Sequence, residues 1–109
     1  MVKSEEEVIE EFEQLVNMTA DEISQWLDTD ESKEVGMVRE GEDESVGHQS
    51  GRRIIEILSH DEYTEDDLAH MRKVVSYIKR HSAQQPDKDD LKHTHWTYSL
   101  KNWGHNPMK

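Results

Sequence analysis

At 109 residues, with 13 basic against 25 acidic side chains, the chain is expected to form one domain at most and carries a net charge of −12. Val, Ile, Leu and Phe make up only about 19% of it, a composition that together with high net charge borders on disorder. No apolar run approaches the roughly 20 residues of a membrane-spanning helix, the start MVKSEEEVIEEF lacks the profile of a secretory signal, and the absence of Cys excludes disulfides, thiolate metal sites and Cys nucleophiles and fits a cytoplasmic setting.

The apolar residues, though few, fall at helical spacing. Val8, Ile9, Phe12, Leu15 and Val16 share one face, with Glu6, Glu7, Glu10 and Glu13 outside, and Ser4 with Glu7 has the spacing of a capping box. A second box, Thr19 with Glu22, breaks that helix at Asn17-Met18 and opens a short one whose Ile23, Trp26 and Leu27 share a face. Residues 29–46, with two Gly, many charges and no period, predict an exposed, mobile acidic loop.

A third helix runs from near Ser45 or Ser50 to about Ser59. If it starts at Ser45, Gly47 and Gly51 project with Ile54 and Leu58, and another backbone can approach closely there; if at Ser50, the glycines lie in an irregular loop. Thr64 with Asp67 starts a long helix to about residue 82, with Leu68, Met71, Val74, Val75 and Ile78 as its core stripe. Lys73 and Arg80 lie opposite that stripe, Arg72 and Lys79 flank it, and His70, Tyr77 and His81 form its other edge. In the last segment, Trp96, Leu100 and Trp103 make a one-sided stripe, with Gly104 suited to the C-cap and Pro107 preventing continuation. The expected architecture is all-α, a compact bundle of four or five short helices with an acidic loop.

Charge is divided unevenly: residues 1–46 carry −13 and residues 47–109 carry +1, with all seven His in the second part. Mild acidification is therefore expected to make the second part cationic.

Tests for chemistry give little. Asp28, Asp30 and Ser32 have calcium-loop spacing, but Lys33 and Arg39 stand where Gly and Glu are needed. His93 and His95, with His105, offer nitrogen ligands but no metallohydrolase spacing. Ser45, His48, Ser50 and Asp61 are the ingredients of nucleophilic catalysis without a nucleophile-elbow motif. A bundle of this size is expected to leave little volume for a pocket of about 300 Å³ or more. No catalytic residue, metal or cofactor is therefore assigned, and the protein is not expected to be an enzyme.

The plausible nucleic-acid surface is Arg52, Arg53, Arg72, Lys73, Lys79 and Arg80, with Lys92 and Lys101 in the same half. These cations either meet phosphate or are neutralised within the fold by the acidic first half, and the whole-chain charge alone favours the second outcome.

Three stretches, NMTADEISQWLDTDESKEVG, SVGHQSGRRIIEIL with HMRKVVSYIKRHSAQQP, and HTHWTYSLKNWGHNP, resemble a family of small proteins catalogued as a domain of unknown function, number 3140, over about residues 8 to 109. Some members of that family are described as DNA-binding proteins, so the resemblance implies DNA as a partner but supplies no functional residue. The expected function is a non-enzymatic binding module that meets DNA through its second half. The alternative is a protein-interaction module whose acidic first half engages a basic protein partner, and the third reading is a metal-binding or catalytic protein built on His93, His95 and His105.

Overall fold

The computed structural model describes residues 4–36, 38 and 40–109, so Arg39 of the calcium-loop test and Met37 of the predicted loop lie outside the described residues. Its helices are α1 (Glu5–Leu15), α2 (Ala20–Leu27), α3 (Asp30–Lys33), α4 (Val46–Leu58), α5 (Glu65–Ser82) and α6 (His95–Asn102), with a 3₁₀ turn at Leu91–His93. The predicted all-α bundle is what forms, with α3 as an added single turn.

Each α-helix begins at a side-chain oxygen that accepts a backbone N–H three residues on: Ser4, Thr19, Thr29, Ser45, Thr64 and Thr94. At Thr19 with Glu22 and at Thr64 with Asp67 the bonds are reciprocal. Such caps satisfy N–H groups that the helix leaves without partners and contribute about 1 kcal/mol each.

The expectations for residues 29–46 and for Leu58 are corrected, and the alternative starts of the third helix are resolved. Residues 29–46 are not without regular structure: Thr29 caps α3, Ser32 and Val35 are buried, and Val38 forms an isolated antiparallel bridge with Ser45. A single turn has no period to read, so pattern alone misses it. The third helix starts at Ser45, which places Ser50 inside α4 as a buried residue and removes the alternative of a glycine-containing loop. Leu58, expected on the apolar stripe, is the last residue of α4 and is exposed.

α1 packs along α5 and α2 along α4, while α6 touches α2, α3, α4 and α5. The predicted stripes meet in one core: Val8 and Phe12 from α1, Ile23, Trp26 and Leu27 from α2, Ile54 and Ile57 from α4, the five apolar residues of α5, Leu100, and Trp103. A low apolar content suffices because nearly all of it is spent on this one cluster, each large side chain contributing roughly 1.5–3 kcal/mol on burial. The radius of gyration, 13.7 Å, is close to the value of about 13 Å for a compact chain of this length.

α6 ends in a Schellman motif: Gly104, at φ +80°, lets its own N–H reach Lys101 O and the His105 N–H reach Leu100 O. The tail then clamps the corner between α1 and α2. Asn17 exchanges two bonds with the Asn106 backbone, and His105 Nδ1 donates to Leu15 O at 2.6 Å.

The α4–α5 corner is held by Asp67, which is 1% exposed. Its carboxylate accepts from the Thr64 N–H, from Arg53 Nη2 at 2.7 Å and from His60 Nδ1 at 2.9 Å. The Thr64 N–H first, then the His60 and Arg53 bonds, hold this carboxyl well below the usual carboxylate range, against the opposing effect of burial. With the folded-state pKa depressed, the ionised form stabilises the fold above the unfolded value of about 4, and that contribution is lost as pH falls below it. Asp67→Asn is therefore expected to lower the urea midpoint at pH 7, with a gap to the wild type that narrows at pH 3. A gap independent of pH would show that the charge of Asp67 contributes nothing.

A candidate anion-binding cleft

On α5, residues Arg72, Lys73, Ser76, Tyr77 and Arg80 recur at the spacing of one helical face. Together with Ser99, Asn102 and Trp103 at the end of α6, Val46 and Gly47 in the first turn of α4, and Gly36, they line a cleft of about 740 Å³. The expectation of little pocket volume is thus overturned. The end of α6, the first turn of α4 and one face of α5 border the cleft together.

Among the described residues no carboxylate lines this cleft, although acids make up 25 of the 109 residues. Among the described residues, Arg72, Lys73 and Arg80 have no salt-bridge partner, and all three are exposed. The other three predicted phosphate-binding residues are occupied. Arg52 bonds Glu44 at 2.6 Å, Arg53 bonds Asp67, and Lys79 pairs with Glu11 of α1. Lys109 likewise meets Glu22 at 2.8 Å. The acidic first half therefore neutralises Arg52, Lys79 and Lys109, while Arg53 is paired within the second half. Of the six, Arg72, Lys73 and Arg80 line the cleft.

Behind the cleft runs a column of four rings. Tyr77 stacks on Trp103 with centroids 4.2 Å apart and on His81 at 5.2 Å, and Trp103 lies nearly parallel to His70 at 6.3 Å. The Tyr77 hydroxyl is hydrogen-bonded with Ser99, and burial raises its pKa. Burial first, then the charges of Arg53 and Lys73, holds His70 below the usual imidazole range; burial likewise lowers His81, whose Nε2 is buried with no partner among the described residues. Protonation of these two histidines is thus disfavoured relative to a free imidazole.

The remaining candidates do not converge. His93 Nδ1 meets Asp90 at 2.7 Å, His95 lies 3.6 Å from Glu34, and His105 bonds Leu15 O. Among the described residues no group of three or more His, Asp or Glu is placed to hold a metal ion. Ser45 is spent as a cap, His48 bonds Glu44 and, at 2.8 Å, Leu27 O, and Ser50 Oγ lies 2.9 Å from His70 Nε2. Among the described residues no carboxylate is bonded to His70, whose charged neighbours are cations.

Sequence reasoning placed Arg72, Lys73, Tyr77 and Arg80 on α5 but missed Ser76, Ser99, Asn102 and Trp103 as parts of one site. The signal for the α5 wall was present, an acid-free stripe on an acidic chain, whereas the α6 wall depends on how the helices pack together.

No helix among the described residues is long and apolar enough to cross a membrane. No curated protein and no solved structure matches the chain. A family model does match, over residues 11–101, a span that holds α2 to α5 entire and with them Arg72, Lys73 and Arg80. Since the match covers most of the sequence, the chain belongs to the family described as Protein of unknown function (DUF3140).

Proposed function

We propose that the protein is a non-enzymatic binding module for nucleic acid, and that its contact surface is the cleft face of α5 rather than the whole basic second half. The observation that carries this reading is a set of three cations, Arg72, Lys73 and Arg80, that among the described residues have no acidic partner and border a recess with no carboxylate, on a chain of net charge −12. Phosphate is the ligand group that such donors serve: Arg offers paired N–H groups to two phosphate oxygens, and Lys a point charge. The likeness to a family with members described as DNA-binding points the same way.

Because the rest of the molecule repels polyanions, affinity is expected to be modest and to fall steeply with salt. Three phosphate contacts give a slope of log K against log salt of about −2 on a single strand and about −3 on a duplex. Arg72→Ala or Arg80→Ala should weaken binding and reduce the magnitude of that slope by about 1, whereas Arg52→Ala, already paired with Glu44, should leave it nearly unchanged. Fluorescence anisotropy at low salt measures all three variants. Absence of binding by the wild type, or binding indifferent to both cleft substitutions, rejects the reading.

The acidic outer face of α1, with Glu6, Glu10 and Glu13 exposed, supports a second reading in which a basic protein is the partner. Titration with a basic peptide in place of DNA separates the two, since that binding would be insensitive to Arg72→Ala.

A further inference from the structure

A duplex is read by an element that projects into a groove about 12 Å wide. The cations of α5 do not sit on such a projection: they line a recess whose other walls are the end of α6 and the first turn of α4. Its volume, about 740 Å³, lies within the roughly 300–1,000 Å³ in which whole small ligands are held. One nucleotide unit fits that space, and paired strands do not.

Single-stranded nucleic acid is commonly held by bases stacking on open aromatic faces. Here Tyr77 and Trp103 are each stacked against two neighbouring rings, so the column turns edges rather than free faces to the recess. Recognition then falls to the three cations and to the hydroxyls of Ser76 and Ser99. These groups suit the most highly charged part of a strand. A terminal phosphate monoester carries about −1.5 to −2 at pH 7, against about −1 for each internal diester.

We propose that the recess takes a terminal phosphate monoester at the end of a nucleic-acid strand, with Arg72, Lys73 and Arg80 around the phosphate. This rests on the nucleic-acid reading and specifies which part of the strand is bound.

The test is an anisotropy titration with short, internally labelled single strands that carry a phosphate at the 5′ end, at the 3′ end, or at neither, with a nucleoside monophosphate as competitor. One phosphorylated strand is expected to bind about tenfold more tightly than the hydroxyl-ended strand. The preference should disappear in the Arg72→Ala/Arg80→Ala double variant and in Ser76→Trp, which fills the recess while keeping the cations, and should persist in Arg52→Ala. All substituted positions are exposed, and thermal midpoints verify folding. Equal binding of all three strands overturns the terminal-phosphate proposal and leaves the nucleic-acid reading standing. Binding of none overturns both. A monophosphate that competes as well as the strand itself supports phosphate-monoester recognition in the recess but overturns the nucleic-acid reading.

Discussion

Asn102→Ala is expected to destabilise the fold by about 3–5 kcal/mol, a large part of the roughly 5–15 kcal/mol that holds a domain together. Asn102 is 1% exposed at the end of α6. Its Oδ1 accepts from Trp26 Nε1 at 2.7 Å and from Ser32 Oγ at 2.6 Å, and its Nδ2 donates to Ser32 O at 3.0 Å. One side chain therefore satisfies polar groups from α2 and α3 in a region closed to water, Ser32 being fully buried. Truncation leaves the indole N–H, the hydroxyl and the carbonyl without that partner, each at about 1–3 kcal/mol, with some recovery as the hydroxyl rotates.

Urea denaturation measures the effect: the midpoint falls while the m-value stays constant. Ser32→Ala removes one donor only and should cost about 1 kcal/mol. Trp26→Phe combined with Asn102→Ala should cost less than the two singles added together, by 0.5 kcal/mol or more, because the two residues share a bond. Additive behaviour, or a loss under about 1 kcal/mol for Asn102→Ala, would show that these bonds are not made in solution.

Neither Asn102 nor its partners announce this role in the sequence. Ser4, Thr19 and Thr64 were readable as caps because capping is local, the oxygen and its N–H lying three residues apart. The stripe from Leu68 to Ile78 was readable because helix periodicity is local too. Asn102 meets residues 70 and 76 positions away, and in its own helix it reads only as a polar residue near a C-terminus. The same limit governed the cations. Lys79 and Arg72 flank the core stripe alike, yet α1 brings Glu11 to Lys79, while no described carboxylate reaches Arg72. Dividing the chain into an acidic half and a nearly neutral half gave the correct charges but could not say which pairs form, since pairing follows from packing. The cleft was the least legible feature, because its walls come from three helices whose packing together no local pattern states.

The contact between α6 and α4 rests on Gly51, and Gly51→Val is expected to destabilise the protein by about 3 kcal/mol or more. A Cβ built at Gly51 lies 2.7 Å from Asn102 O and 2.9 Å from Leu27 Cδ2. The Leu27 methyl can swing aside, but the carbonyl belongs to the backbone of α6 and moves only if the helix moves. Gly51→Ala should also destabilise, by about 1–2 kcal/mol, because the strain of overpacking exceeds the roughly 1 kcal/mol that Ala gains over Gly inside a helix. One turn earlier, a Cβ at Gly47 approaches Trp103 Nε1 at 3.1 Å and Asn102 Cβ at 3.6 Å, both in side chains. Gly47→Ala is accordingly expected to stay within about 1 kcal/mol of the wild type, helix propensity offsetting a contact that can relax. Equilibrium denaturation of the three variants checks the order Gly51→Val, Gly51→Ala, Gly47→Ala from most to least destabilised. Because Asn102 and Trp103 also line the cleft, displacement of α6 by the Gly51 substitutions should weaken phosphate binding even where the variant remains folded. A stable Gly51→Val protein with unaltered binding would mean that α6 does not press against α4 at this point.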